Sequence, residues 1–213
     1  MIELQQLRPA PLVSLGLNPE SDIFGTDCTL EQGANYLIEA PSGKGKSTIL
    51  HILYGLRKDY EGEAKLDDQL LLGLSPNEIS NLRQSRLSIV FQDLRLFTQM
   101  TALENIQLNT TWPGSVSDDK IREMAKRLGV DHLLDKQAST LSYGQRQRIA
   151  IIRALAKPFD YLFLDEPFSH LDEENTKLAC DLVQERAREN KAGIILASLG
   201  ERFYLEYDRV LQI

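Results

Sequence analysis

Short apolar runs alternate with longer stretches of helical periodicity along the chain. Ala34 to Glu39 is a run of strand length, and so are Leu87 to Phe91, Tyr161 to Leu164 and Gly193 to Ala197. Between Lys46 and Leu56 the apolar residues Ile49, Leu50, Ile52 and Leu53 recur at helical spacing, with Gly55 placed to end the helix. Longer helical patterns cover Tyr143 to Ala156 and Glu173 to Asn190, ahead of the third and fourth apolar runs. Helices alternating with apolar strands predict an α/β fold whose mainly parallel central sheet is covered on both faces.

Two regions break this rhythm. From Gln92 to Leu141, polar turn clusters such as Trp112-Pro113-Gly114-Ser115 separate short helical patterns, which predicts a mostly helical lobe inserted between two core strands. The residues up to about Glu31 are rich in Pro, Gly, Asn and Asp and predict a small N-terminal antiparallel sheet. The 213 residues suit a single domain, 1–213, with the lobe at about 92–141. No repeat, low-complexity tract or heptad pattern interrupts it.

Composition narrows the function classes. Lys and Arg total 24 against 31 Asp and Glu, a net charge of −7, so no nucleic-acid partner is expected. The two cysteines, Cys28 and Cys180, lack metal-ligand spacing and read as buried, reduced thiols. No run approaches the roughly 20 apolar residues that cross a bilayer, and the start of the chain does not read as a secretory signal. Any membrane role must therefore come through a partner.

The first run is followed by Ala40-Pro41-Ser42-Gly43-Lys44-Gly45-Lys46-Ser47-Thr48, which nearly fits the phosphate-loop pattern G-x-x-x-x-G-K-[ST]. Glycines let main-chain N–H groups curl around a polyphosphate, and the next helix points its positive end at it. Lys46 is placed to reach the β- and γ-phosphates of ATP, and the Ser47 hydroxyl to coordinate Mg²⁺. Ala40 stands where the pattern has its first glycine, which a negative φ tolerates. The third run ends in Asp165-Glu166-Pro167. There Asp165 is placed for the Mg²⁺ shell, and Glu166 to orient and deprotonate the attacking water.

Leu141-Ser142-Tyr143-Gly144-Gln145 opens the helix before that strand, with Ser142 and Gln145 spaced as a capping box. At this point the sequence resembles the ABC ATPases of P-loop NTPase fold. Their signature Leu-Ser-Gly-Gly-Gln matches here, and other motifs match in order across nearly the whole chain: the phosphate loop, Gln92 after a strand, Asp165-Glu166, and Ser169-His170-Leu171-Asp172. The resemblance implies that Gln92 senses Mg²⁺ and the attacking water and moves with a transmembrane partner. It implies that Ser142, Gly144 and Gln145 meet the γ-phosphate held by a second ATPase subunit, in a homo- or heterodimer, and that Asp172 couples the two sites. Gln92 to Phe97 and Thr101 to Ile106 resemble the transporter branch, where this surface receives the membrane subunit. The implied location is cytoplasmic, peripheral on the inner face of the cell membrane. The lack of a C-terminal regulatory domain leans slightly toward an export, lipid or lipoprotein-type system.

The chain departs from the family pattern at three places. Tyr143 replaces the first signature glycine, with its side chain expected to point away from the phosphate. No aromatic residue for stacking adenine occurs from Leu12 to Leu17, and Phe24 is a poor positional match. Leu199 stands where the family usually has a histidine that hydrogen-bonds the γ-phosphate, and leucine has no polar atom to offer. His51, His132 and His170 fall at no equivalent point and read as structural or solvated. Lys120 to Arg127 and Glu185 to Asn190 read as solvated helix faces, Arg146, Arg148 and Arg153 as a polar helix face near a dimer boundary. Alternatives to a transporter ATPase are a nucleotide-dependent switch with weak hydrolysis and a soluble ABC ATPase. Leu199 predicts slow hydrolysis: Leu199→His should raise the steady-state rate of phosphate release, and an unchanged rate in a folded variant would remove this expectation.

Overall fold

A computed structural model describes every residue from Met1 to Ile213. The chain order is β1 (Ile2–Pro9), α1 (Ala10–Val13), β2 (Asp27–Leu30), β3 (Tyr36–Glu39), α2 (Lys46–Leu53), β4 (Tyr60–Leu66), β5 (Gln69–Leu70), α3 (Pro76–Ser85) and β6 (Leu87–Val90). There follow α4 (Ala102–Gln107), α5 (Asp118–Arg127), α6 (Tyr143–Leu155), β7 (Tyr161–Asp165), α7 (Glu173–Asn190), β8 (Gly193–Ser198) and β9 (Arg209–Gln212). Five strands form a parallel sheet in the order β6-β7-β8-β3-β9, and four form an antiparallel sheet in the order β2-β1-β4-β5.

The parallel strands are apolar throughout because both faces are covered, and their successive residues feed two separate cores. Leu162, Leu164, Ile194, Leu196 and Leu37 pack with α6, α7 and the helices of the 92–141 segment. Tyr161, Phe163, Ile195, Ala197 and Ile38 pack with α2, α3 and the antiparallel sheet. The period of two along a strand thus sorts one run of hydrophobics into opposite layers. The phosphate-loop helix α2 and the signature-bearing helix α6 consequently lie on opposite faces of the sheet. The two sheets are joined directly where Tyr161 Oη donates to the Leu30 carbonyl at 3.1 Å.

The four apolar runs and the three longest helical patterns of the sequence are strands and helices of the structure. The antiparallel sheet extends further than the expected limit near Glu31, because β4 and β5 complete it. Helix α3 escaped sequence reading although its signal is plain: Ser75 accepts from Glu78 N, Glu78 returns a bond to Ser75 N, and proline follows the cap. Edge strand β9 is short, with only Val210 and Leu211 between polar Arg209 and Gln212, so nothing in Arg209–Gln212 marks it as sheet.

The charged stretches Lys120 to Arg127 and Glu185 to Asn190 are not merely solvated. Arg127 reaches Glu185 at 2.6 Å and Lys120 reaches it at 3.7 Å, tying α5 to α7, while Arg186 is buried and donates to Leu155 O. Lys157 is buried as well, and its Nζ donates to the Arg83 and Leu87 carbonyls, while burial pulls its pKa down to about 7. Trp112 remains 38% exposed on its turn.

After β6, one buried amide holds the chain against the start of α4. Asn105 is fully buried, accepts from Phe97 N at 2.8 Å and donates to Phe97 O at 3.0 Å and Thr101 O at 2.9 Å. Asn105→Ala leaves these main-chain groups without a partner in a dry setting. It should lower unfolding stability by about 2 kcal/mol in chemical denaturation, and a loss under about 0.5 kcal/mol would contradict this role.

Candidate functional site

The site forms at the carboxyl ends of β3 and β7, the usual place for ligands in an open parallel sheet. Strand β8 lies between them, with Leu196 paired to both Leu37 and Leu164, so the loop after β3 and the end of β7 stand at one level. Across that gap Ser47 Oγ donates to Asp165 Oδ1 at 3.0 Å. Asp165 is 1% exposed, and its pKa is raised, chiefly by burial and further by the charge of Glu166.

The loop from Pro41 to Gly45 takes its shape from two glycines with positive φ, Gly43 at +77° and Gly45 at +108°. Gly45 also admits no side chain: a Cβ there would lie 2.5 Å from Leu12 and 2.9 Å from Phe24. Ala40 is not among the residues of positive φ, so its methyl group is accommodated. Lys46 is buried and folds back on the loop, donating to Ala40 O at 2.9 Å and Pro41 O at 3.3 Å, with Glu166 Oε1 at 3.6 Å.

Glu166 follows the strand with φ at +47°, a backbone that costs a side-chain-bearing residue on the order of 1 kcal/mol and concentrates at functional sites. Gln92 Nε2 lies 3.4 Å from its carboxylate. Ser42, Gly43, Gly45, Lys46, Ser47, Thr48, Gln92 and Glu166 line a wholly non-hydrophobic cavity of about 170 Å³.

A larger cavity of about 590 Å³ adjoins it, sharing Ser42 and Gly43 and also lined by Pro41 and Lys44. Its other walls are Leu12, Leu15, Gly16, Leu17, Asn18, Phe24 and Ile213. An apolar recess beside a polar cradle matches the two halves of a nucleotide. Phe24, set aside in sequence reading, lines this recess and packs under Gly45; it lies before β2, out of reach of a motif search around Leu12 to Leu17.

Ser142, Gly144 and Gln145 do not line the cradle of their own chain. Ser142 caps α6, accepting from Gln145 N at 3.3 Å, while Gln145 Oε1 accepts from Ser142 N at 2.9 Å, so the capping box read from the sequence is formed. Gly144 packs so closely on the segment after β7 that a Cβ would stand 3.0 Å from His170 O. Tyr143 Oη donates to Gln92 O at 2.7 Å, and its ring lies 4.1 Å from that of His170. Asp172 caps α7 through Asn175 N at 2.8 Å, which holds its pKa low.

Arg148 and Arg153 of α6 turn inward rather than forming a free polar face, while Arg146 lies by the Tyr143 ring. Arg148 donates to Leu128 O and Asn175 Oδ1, both at 2.8 Å; Arg153 donates to Arg95 O at 2.6 Å and Leu94 O at 2.5 Å. Leu199 is 59% exposed beyond β8. His132 is exposed, His51 is half-buried against Phe91, and His170 bonds Ser169 through Nδ1 at 2.9 Å.

Comparison with known proteins agrees with this geometry. The ABC transporter family model matches residues 23–169. The lipoprotein-releasing system ATP-binding protein LolD of Buchnera aphidicola subsp. Schizaphis graminum is 35% identical over 181 residues, covering 82% of this chain and 77% of that protein. The thiamine import ATP-binding protein ThiQ of Vibrio vulnificus is 38% identical over 174 residues, covering 78% and 71%. Among solved structures, the dimeric bacterial ABC transporter cassette MJ0796 superposes with a TM-score of 0.84 at 26% identity, covering 100% of this chain and 94% of that one. A post-hydrolysis form of the same cassette, bound to ADP and Pi, gives 0.83 at 25%. No helix of this chain is long and apolar enough to cross a membrane. The chain therefore belongs to the ABC transporter family, as an ATP-binding and ATP-hydrolysing subunit that powers transport through membrane-spanning partners.

Proposed function

We propose that each ATP is held between two subunits, with its phosphates on Pro41 to Thr48 of one and against Ser142, Gly144 and Gln145 of the other. What supports this reading most directly is that the capped end of α6 stands away from the cradle of its own chain. A helix N-terminus with a serine hydroxyl is suited to an anion brought by a neighbour. Asp172, at the start of α7, then belongs to the contact through which the two sites communicate. The chain acts as one unit, with residues 92–141 as its inserted lobe.

Mg²⁺ fits the residues at the cradle. A buried carboxylate disfavoured in its charged form, already bonded to a hydroxyl, suits a cation that takes few protein ligands and keeps phosphate and water oxygens. Ser47, Asp165 and Gln92 would hold it, and it would neutralise charge on the terminal phosphates. The chain's own groups do the rest. Lys46 swings from the Ala40 and Pro41 carbonyls to the phosphates. Glu166 accepts a proton from water in line with the γ-phosphate, and Gln92 orients that water beside it.

The base occupies the aliphatic recess between Leu12, Leu15 and Leu17. With Phe24 and Ile213 completing its apolar walls, the recess selects by shape, and apolar walls discriminate weakly between bases. GTP should therefore be hydrolysed with a kcat/KM within about tenfold of that for ATP. A preference for ATP above about a thousandfold would place a base-reading group there instead.

A groove lined by Tyr54, Phe91, Arg95, Phe97 and Leu108 provides the seat for the membrane subunit. Phe97 is 60% and Leu108 42% exposed there, beside the segment that carries Gln92. The subunit then lies on the cytoplasmic side of the cell membrane, peripheral to it. The exposed Leu199 supports a second reading, a nucleotide-operated switch with slow turnover.

Glu166→Gln separates productive hydrolysis from mere binding. It should cut ATP turnover by at least about 100-fold and trap an ATP-bound dimer visible by light scattering, which Ser142→Arg should prevent. An E166Q protein that turns over at the parental rate, or stays monomeric at saturating ATP, would refute the shared-site reading.

A further inference from the structure

Tyr143 stands where three functional segments meet. It is the first residue of α6, directly between Ser142 and Gly144. Its hydroxyl donates to the main-chain oxygen of Gln92 at 2.7 Å. Its ring lies against His170 with centroids 4.1 Å apart and planes tilted by 46°, and the Arg146 guanidinium sits 5.6 Å from the ring centre. Gln92 in turn places its amide 3.4 Å from Glu166. A single side chain therefore connects the signature segment to the water-orienting pair of its own chain and to the Ser169–Asp172 turn. Glycine at this position, as in the family signature, makes none of these contacts.

We propose that Tyr143 is a positioning residue that couples the two nucleotide sites of the dimer, through the bond from its hydroxyl to the Gln92 carbonyl. The inference rests on the reading above, in which Ser142 and Gly144 meet the nucleotide of the second subunit. Under that arrangement, the neighbour's ATP bears on the end of α6 one residue to either side of Tyr143. Gln92 serves the chain's own ATP. Movement of the helix end toward the neighbour's phosphate is then transmitted through one hydrogen bond to the peptide of Gln92, and from its amide toward Glu166. Coupling of this kind is reciprocal, so occupancy of either site biases the other. The bond has an identifiable physical path, from a helix cap to an adjacent loop, with no intervening solvent-filled gap.

The path is strengthened by a second bond at the other end of the same helix. Arg153 holds the Leu94 and Arg95 carbonyls, both on residues of positive φ, at 59° and 46°. Helix α6 therefore grips the segment after β6 at both of its ends. A shift of the helix carries that segment as a body; Gln147, one turn on, donates to Glu166 O at 3.5 Å and accepts from His170 N at 3.3 Å, while Tyr143 is the side chain of α6 that holds the Gln92 carbonyl.

Tyr143→Phe removes the hydroxyl and keeps the ring on His170. In steady-state hydrolysis with MgATP, the parental chain should show a Hill coefficient approaching 2, the number of sites, and Y143F a coefficient close to 1. Affinity of the monomer for a fluorescent ADP analogue should stay within about twofold, which separates lost coupling from lost binding. Tyr143→Gly should behave as Y143F does. A parental coefficient of 1, an undiminished coefficient in Y143F, or a loss seen in Tyr143→Gly but not in Y143F overturns the proposal. Dimerisation of Glu166→Gln with ATP, measured in parallel, reports on the shared-site reading independently. If that dimer forms while Y143F retains cooperativity, the coupling role alone fails.

Discussion

The hydrogen bond between Ser47 and Asp165 is the contact on which the site depends. It joins the start of α2 to the tip of β7, 118 residues later in the chain and with β8 between the two strands. It exists because three parallel strands end at one level, and that alignment follows from burying apolar side chains in register on both faces of the sheet. The carboxylate that results is nearly dry and resists its own charge. Such a group is stable only while a donor or a cation is at hand, so the fold has built a demand for positive charge beside the glycine loop. Lys46, held in reserve on the carbonyls of its own loop, belongs to the same arrangement.

Much of this was legible in the sequence because it is written in local signals. A glycine loop between an apolar strand and a helix, an apolar strand ending in two carboxylates, and a serine three residues before a glutamine are all short patterns. Each corresponds to a local geometry that the structure contains. The antiparallel sheet was legible only in part. β4 pairs with β1, some 60 residues away, and β5 pairs only with β4, although the alternation of Tyr60, Ala64 and Leu66 with Glu61, Glu63 and Lys65 is itself a strand signal.

The features that stayed hidden are long-range and made by single side chains. Nothing in Tyr143-Gly144 announces that the phenol reaches Gln92, 51 residues earlier in the chain. Arg148 and Arg153 look like an exposed basic stripe because guanidinium groups usually are exposed. In the fold they are spent on main-chain carbonyls that no helix or strand partner satisfies. Phe24 was likewise set aside on position in the chain, whereas its place beneath Gly45 is a property of how β1 and the following turn wrap the phosphate loop.

Two residues after β6, Leu94 and Arg95, adopt a left-handed backbone that side chains rarely favour, and a single planar fork from Arg153 spans their two oxygens. Lysine at that position would preserve the charge but lose the rigid planar fork that presents a separate nitrogen to each oxygen. Arg153 thus shapes the backbone of this segment while itself lining the same groove as Arg95 and Phe97. A change at Arg153 alone would therefore alter both a wall of that groove and the backbone of the loop that also lines it.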